Sequence, residues 1–292
     1  MTATGIVEPI ERVGIVGSGI MGAGIAELCA KAGCEVRVAV SSDRSLETGP
    51  ARVARSLDRA LGKGKITREQ HGEALRRITY TRDLGELSDR HLVIEAVKED
   101  EALKLDLFAS LDKIVQTPGA IFASNTSSLS VARLAQATSR PERVVGIHFF
   151  NPAPVLPLVE IVDSILTDPQ VSMATEDFVV TRLGKQAIKS PDRAGFVVNA
   201  LLFPYLLSAI RMVDSGLATA EVVDRGMTLG CSHPLGPLQL ADLIGLDTTV
   251  SIAQAMFEES KEPLYAPPGL LLRMVEAGLL GKKSGRGFYT YA

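Results

Sequence analysis

The sequence predicts an α/β domain with a mostly parallel sheet, followed by an all-α C-terminal domain. Short β-branched runs alternate with longer helical patterns up to about residue 190, which is typical of βαβ units. A glycine-rich segment directly follows the first of these runs. After residue 192, helical periodicity with Pro and Gly turns replaces the strand pattern. We therefore predict two domains, residues 1–192 and residues 193–292.

The predicted strands are rich in Val and Ile and lie in the first domain. Residues 46–78 read as a charged helical insertion that is broken at residues 62–65. Gly33 closes the helix that follows the first strand. The strands are residues 12–16, 35–40, 92–97, 120–124, 144–149 and 158–162.

Composition excludes several classes of protein. The chain has 292 residues and a formal charge of −3, so it lacks the basic excess of a nucleic-acid binder. No signal peptide is visible, and the longest apolar stretch is shorter than the ~20 residues that a membrane span needs. Three cysteines without a CxxC spacing and four histidines without a metal-ligand pair predict a reduced, cytoplasmic, metal-free protein.

The segment Gly17-Ser-Gly-Ile-Met-Gly22 fits the pattern GxGxxG between a predicted strand and a predicted helix. In that context the glycines permit a tight turn and let the backbone approach a pyrophosphate, which the helix N-terminus then binds. The alternative is a tight turn without a ligand. The predicted cofactor-binding residues of this segment are Gly17, Gly19, Ile20, Met21 and Gly22.

The second strand lacks the acid that usually binds the ribose 2′-hydroxyl of NAD. Val40 occupies the end of that strand, and a valine accepts no hydrogen bond. Ser41, Ser42 and Arg44 are able to hold a 2′-phosphate instead, since Arg offers a planar donor fork. In the alternative, Asp43 reaches the ribose and Arg44 is solvated. The residues of this segment therefore leave the choice between NAD and NADP open.

His148 is predicted at the carboxyl end of a strand, where open α/β sheets bind their ligands. A short Pro-rich turn leads to the next strand, which carries Glu160. This hairpin is able to bring the carboxylate beside the imidazole, an arrangement suited to general acid–base catalysis. A purely structural ion pair is the alternative.

Small polar residues end another predicted strand, at Ser124-Asn-Thr-Ser-Ser128. They either supply hydroxyl donors to a substrate oxygen or form an ordinary helix N-cap. Glu95, Glu99 and Lys104 lie around the end of the strand at residues 92–97, where they either border a cofactor or are simply solvated.

Taken in order along the chain, these and later motifs resemble the short-chain 3-hydroxyacyl-CoA dehydrogenase family, and within it the bacterial 3-hydroxybutyryl-CoA dehydrogenases. The resemblance covers essentially the whole chain. It implies a Rossmann-type N-terminal domain, and a helical domain that forms most of a homodimer interface. The further motifs are His148-Phe-Phe-Asn-Pro152, Gly195-Phe-Val-Val-Asn199, His233-Pro-Leu-Gly-Pro237, Ala241-Asp-Leu-Ile-Gly-Leu-Asp247 and Gly281-Lys-Lys-Ser-Gly-Arg-Gly-Phe-Tyr289.

The resemblance also implies an acyl-CoA substrate, NAD(H) as cofactor and a role for each matching residue. His148 is expected to be the base that removes the 3-hydroxyl proton, with Glu160 as its partner. Ser127 and Asn199 match ligands of the substrate oxygen. The remaining matches are Glu99, Lys104, Asn125 and Asn151 for the cofactor, and Lys63 and Lys65 for the CoA phosphates. The alternative for Lys63 and Lys65 is that they are solvated.

Three departures from the family pattern bear on specificity. Val40 replaces the usual acid, Ala200 replaces a frequent Arg, and Ala194 replaces a frequent Pro. The last two alter the surroundings of Asn199 and leave the expected catalytic residues in place.

Two other functions compete with this interpretation. One is a dinucleotide-binding structural or regulatory protein without catalysis, which the loss of the acid at Val40 favours. The other is a lysine-based β-hydroxyacid dehydrogenase. That class needs a catalytic Lys early in the helical domain, and residues 194–240 contain none.

Overall fold

A computed structural model describes residues 9–291, and the chain divides into two compact units after Asp192. The first unit is an α/β structure. Its elements are β1 (Arg12–Val16), α1 (Ile20–Lys31), β2 (Glu35–Ala39), α2 (Asp43–Gly62), α3 (Arg68–Arg76), β3 (Ile78–Thr81), β4 (Leu92–Glu95), α4 (Glu101–Ile114), β5 (Ile121–Ser124), α5 (Val131–Gln136), β6 (Val144–Phe149), β7 (Leu158–Asp163), α6 (Pro169–Asp177) and β8 (Gln186–Pro191).

The strands form one eight-stranded sheet in the order β3-β2-β1-β4-β5-β6-β7-β8. All neighbouring pairs are parallel except β6 and β7. The carboxyl ends of β1, β4, β5 and β6 therefore meet at one edge of the sheet, and β7 starts there. The chain reverses its direction of strand addition between β1 and β4, which is where ligands bind in doubly wound sheets.

Two strands were missed by the sequence analysis. Residues Ile78–Thr81 form β3 at one edge of the sheet, although Ile78 was assigned to the helical insertion. Residues Gln186–Pro191 form β8 at the other edge. Both are edge strands that carry polar residues on partly exposed faces, so neither shows the continuous apolar pattern of a central strand. The insertion itself is two helices, α2 and α3.

The second unit is helical. Leucines and other apolar residues of its helices form a core of their own, which includes Leu207, Ile210, Leu238 and Leu246. The chain ends in a segment, residues 281–291, that we call the C-terminal hook. The helices are α7 (Val198–Asp214), α8 (Ala220–Gly230), α9 (Pro237–Ile244), α10 (Leu246–Ser260) and α11 (Gly269–Glu276). The predicted fold class, an α/β Rossmann-type domain followed by a helical one, is confirmed.

Within residues 9–291, no single helix is both long and apolar enough to cross a membrane. Only α9 and α10 taken together reach that length and composition, and they are bent by 96° at the break between them.

Candidate active site

The glycine-rich segment forms a tight turn from β1 into α1 that fits a dinucleotide. Gly17 has a φ of 103°, and a Cβ there would lie 2.6 Å from the Ala96 carbonyl oxygen. A Cβ at Gly22 would lie 2.1 Å from the Gly17 carbonyl oxygen, whereas one at Gly19 would meet nothing within 4 Å. Two glycines therefore allow the turn to close, and the space beside Gly19 admits a phosphate. Helix α1 has no side-chain cap and no acid in its first turn, so its N–H groups suit an anion.

The end of β2 carries no acid beside this turn. Val40 is buried and donates its N–H to the Thr81 carbonyl. Ser42 caps α2 through its hydroxyl, which accepts from the Ser45 N–H. Asp43 is exposed and pairs with Arg82 at 2.9 Å, and Arg44 is exposed.

Arg52 was missed by the sequence analysis. It reaches from α2 to donate a 2.8 Å hydrogen bond to the Ser18 carbonyl, so a guanidinium lies against the glycine-rich turn. One Arg among several on a charged helix gave no signal in the sequence.

His148 and Glu160 lie directly opposite each other in the antiparallel pair of β6 and β7. Their side chains share one face, and Nδ1 of His148 lies 2.7 Å from Oε2 of Glu160. His148 is 7% exposed and Glu160 is fully buried. A carboxylate group accepts hydrogen bonds, so the imidazole is the donor in this pair when Nδ1 carries the hydrogen. The ring of Phe150 lies 4.6 Å from that of His148.

Two carboxylates pair with one buried lysine where β4 ends and α4 begins. Lys104, 1% exposed, places its ammonium 3.1 Å from Oε2 of Glu95 and 2.5 Å from Oε2 of Glu99. The fully buried Glu95 also accepts from the Ser124 hydroxyl at 2.6 Å and from the Val97 N–H at 2.7 Å. Lys104 therefore holds the two carboxylates together.

Glu99 organises the polar segment after β5. It accepts hydrogen bonds from the Thr126 hydroxyl, the Ser127 N–H at 3.1 Å and the Ser128 hydroxyl at 3.3 Å. Partial burial opposes ionisation, but Lys104 and these hydrogen bonds outweigh it and hold the pKa of Glu99 below its ordinary value. Glu99 accepts from the backbone N–H of Ser127, so this contact does not involve the Ser127 hydroxyl.

The same segment is not itself the N-cap of the following helix. Ser130, two residues beyond it, caps α5. Asp192, also missed by the sequence analysis, binds the first turn of α5 through the Val131 N–H at 2.8 Å, the Ala132 N–H at 2.7 Å and the Ser130 hydroxyl at 3.0 Å. The only signal for Asp192 was its place at the predicted domain boundary.

The other predicted residues lie in varied surroundings. The amide oxygen of Asn125 accepts from the Phe149 N–H at 2.9 Å and so joins the ends of β5 and β6. Asn151 is exposed in the loop after His148, and Lys63 and Lys65 are exposed in the turn between α2 and α3. Asn199 belongs to the second unit, where it is buried in the first turn of α7.

A phosphate-binding turn and a His–Glu pair at one edge of a doubly wound sheet define a nucleotide-dependent oxidoreductase of the Rossmann class. The family model for the 3-hydroxyacyl-CoA dehydrogenase NAD binding domain matches residues 12–193, and the model for the C-terminal domain of the same family matches residues 195–291. The chain belongs to the 3-hydroxyacyl-CoA dehydrogenase family.

Relatives of nearly equal length support this assignment. The chain is 58% identical to 3-hydroxybutyryl-CoA dehydrogenase of Mycobacterium tuberculosis, over 97% of this chain and 99% of that protein. It is 45% identical to 3-hydroxybutyryl-CoA dehydrogenase of Bradyrhizobium diazoefficiens, over 97% and 96%.

Solved structures show the same likeness. The crystal structure of M. tuberculosis FadB2 matches with a TM-score of 0.96 and 58% identity, over 98% of this chain and 100% of that one. (S)-3-hydroxybutyryl-CoA dehydrogenase PaaH1 from Ralstonia eutropha matches with a TM-score of 0.91 and 44% identity, over 97% and 99%.

Proposed function

We propose that this protein interconverts 3-hydroxybutyryl-CoA and acetoacetyl-CoA by hydride transfer with a nicotinamide dinucleotide. The observation that carries the proposal is the His148–Glu160 pair at the same sheet edge as the glycine-rich turn. The names of the most similar relatives support the four-carbon substrate. When bound, the nicotinamide ring takes up or supplies the hydride.

His148 moves the proton in this scheme. In the oxidative direction its Nε2 takes the proton of the 3-hydroxyl group, and Glu160 stabilises the imidazolium that forms. In the reductive direction the same nitrogen returns the proton to the 3-oxo oxygen. Because Glu160 is fully buried and 2.7 Å from Nδ1, it also fixes the ring orientation.

Ser127 and Asn199 are proposed to hold the reacting oxygen. The hydroxyl and the amide are both hydrogen-bond donors, and Glu99 fixes the backbone of Ser127. The pyrophosphate is assigned to the turn at Gly17, Gly19 and Gly22, whose close packing and open space suit it. Ile20 and Met21 begin the helix at that site.

Initial rates with acetoacetyl-CoA and NADH, followed by the loss of nicotinamide absorbance, test this function. We expect saturable turnover, and 3-hydroxybutyryl-CoA with NAD as the product pair. A folded protein that binds NADH but turns over neither acetoacetyl-CoA nor longer 3-oxoacyl-CoA thioesters would contradict the proposal and favour the non-catalytic alternative.

We propose that NAD(H) is the cofactor and that NADP(H) is also accepted. Val40 places no negative charge beside the ribose, and Ser42 and Arg44 lie next to it in sequence. Val40→Asp should raise the NADH/NADPH ratio of kcat/KM by about tenfold, since the carboxylate accepts from the 2′-hydroxyl and repels a 2′-phosphate. Arg44→Ala is the matched variant and should lower NADPH use alone. Equal ratios in all three proteins would contradict the proposal.

The remaining assignments follow the same function. Lys63 and Lys65 are proposed to bind the CoA phosphates, because both ammonium groups are exposed in one turn. Lys63→Ala with Lys65→Ala should raise KM for acetoacetyl-CoA and leave that for a CoA-truncated thioester unchanged.

A homodimer through the second unit is proposed from its exposed leucines. Leu201, Leu217 and Leu229 are 75%, 72% and 74% exposed in the single chain. Leu229→Glu should convert the dimer to a monomer in light scattering, whereas Ile165→Glu in the first unit should not.

We place the enzyme in the cytoplasm, where reduced nicotinamide cofactors and CoA thioesters are available.

A further inference from the structure

A buried lysine outside the residues assigned above holds the loop that follows His148. Lys185 precedes β8 and is 8% exposed. Its ammonium donates one hydrogen bond of 2.8 Å to the Ala153 carbonyl and another of 2.8 Å to the Leu156 carbonyl. Lysine is almost never buried this far without partners, so these two carbonyls account for its position.

The loop that Lys185 holds, residues 150–157, joins β6, which carries His148, to β7 and packs on α1. At its start the ring of Phe150 lies 4.6 Å from that of His148, and Asn151 follows. Further along, Ala153 and Pro154 pack so closely on α1 that a Cβ at Gly24 would lie 3.3 and 3.1 Å from them. The loop therefore sets the position of His148 and Asn151 relative to α1.

The charges around Lys185 come from α1. Glu27 is 1% exposed and Lys31 lies within 3.8 Å of it. Burial lowers the pKa of Lys185, the positive charge of Lys31 lowers it further, and Glu27 opposes both. The ammonium is thus kept in an unfavourable place, at the point where the loop, α1 and the start of β8 meet.

We propose that Lys185 is a positioning residue for the hydride-transfer reaction. By binding two carbonyls of the loop 150–157, it keeps His148 and Asn151 in register with the nucleotide site at the start of α1. This inference rests on the proposed function, because the register matters only if hydride transfer occurs there. A misplacement of about 1 Å at such a site costs on the order of 10²-fold in rate.

Lys185→Met tests the proposal, since it removes the ammonium and keeps an unbranched stem. We expect kcat/KM for acetoacetyl-CoA to fall on the order of 10²-fold, with the Kd for NADH changed less than about threefold. The primary isotope effect with NADH deuterated at the transferred position should rise, because hydride transfer becomes slower than the other steps. Lys189→Met, within β8 and bound to Asp163 and Glu176 at the surface, is the matched control and should behave as wild type.

Each outcome decides the matter. A folded Lys185→Met enzyme with kcat/KM within threefold of wild type overturns the proposal. The proposal is also overturned if the rate falls only in proportion to the number of active sites found by titration and the isotope effect is unchanged. That result would indicate structural damage alone. If Lys185→Met does not fold, Lys185→Arg is the variant to measure, because its longer planar donor must displace the loop. A raised isotope effect in Lys185→Arg supports the proposal, and a wild-type isotope effect overturns it. Wild-type protein that shows no turnover overturns the proposed function itself.

Discussion

Glu160 in the first unit and Asp242 in the second are both fully buried carboxylates, but their partners differ. In the first unit, fully buried Glu160 binds the ring of His148. In the second unit, fully buried Asp242 binds the Phe288 N–H at 3.0 Å, the Tyr289 N–H at 2.9 Å and the Tyr291 hydroxyl at 2.9 Å. The second set fastens the C-terminal hook to α9. Its donors are backbone N–H groups and a phenol, whereas the partner of Glu160 is an imidazole, which has a second ring nitrogen.

Asp224 repeats the pattern of the second unit. It accepts from the Leu238 N–H at 2.8 Å, the Gln239 N–H at 3.0 Å and the Tyr289 hydroxyl at 2.8 Å, so it joins the start of α9 to the hook. Burial of a carboxylate therefore does not by itself indicate a catalytic site. What distinguishes Glu160 is its partner, an imidazole, the side chain that most often serves as a general acid or base.

The largest effect is expected at His148. His148→Ala should lower kcat by about 10²–10⁴-fold, because the reaction loses its general acid–base group. The Kd for NADH, measured by fluorescence titration, should stay within a few fold of wild type. A kcat within tenfold of wild type would show that another group transfers the proton.

Asp242→Ala should act on stability and leave turnover alone. It deprives two partly buried N–H groups and a tyrosine hydroxyl of their acceptor, so the free energy of unfolding should fall by about 3 kcal/mol. Urea denaturation measures this, and kcat per folded molecule should stay within about twofold. Reduced kcat at unchanged stability would remove the distinction between the two units.

Glu99 shares features with both His148 and Asp242. Its carboxylate is held by Lys104, and it accepts a hydrogen bond from the Ser127 N–H at the proposed site. Glu99→Gln should lower kcat/KM about tenfold, since the neutral amide is a weaker acceptor and Lys104 loses a charged partner. Glu101→Gln, which affects an exposed pair with Arg133, is the control. Equal kcat/KM in both variants would place Glu99 outside the active site.

The pH dependence of Glu99 has a definite sign. Its pKa is lower in the folded protein than in the unfolded chain, so its contribution to stability is present above the unfolded value and is lost as pH falls through the folded one. Between pH 5 and pH 3 wild type should lose more stability than Glu99→Gln. Parallel curves from thermal melts would contradict this.

The smallest effect is expected at Tyr289. Burial raises its pKa, and the hydrogen bond to Asp224 raises it further. Its contribution is therefore complete below the unfolded value of about 10 and is lost as pH rises through the folded one. Tyr289→Phe should cost about 1 kcal/mol at pH 7 and should flatten the loss of stability above pH 10. If the stability of Tyr289→Phe falls as steeply with pH as that of wild type above pH 10, other groups cause the alkaline loss of stability.

Much of the fold was predictable because its signals are local. The apolar runs of β1, β4, β5 and β6 reflect strands buried on both faces, and Gly17 and Gly22 reflect a turn with no room for a Cβ at those two positions. The two edge strands lack such a run, so β3 and β8 were missed. His148 and Glu160 were paired correctly in space because a short turn between two strands leaves few registers.

The central strands, the glycine-rich turn and the two-domain division could be predicted from the sequence, since each depends on neighbours along the chain. Only the tertiary structure decided which groups those residues contact. Lys104 is turned onto Glu95 and Glu99, Arg52 onto the glycine-rich turn, Lys185 onto the loop after His148. The contacts of Arg52 and Lys185 join residues that lie 34 and 32 positions apart in sequence. Their geometry follows from the need of each buried polar group for a partner, which no local pattern encodes.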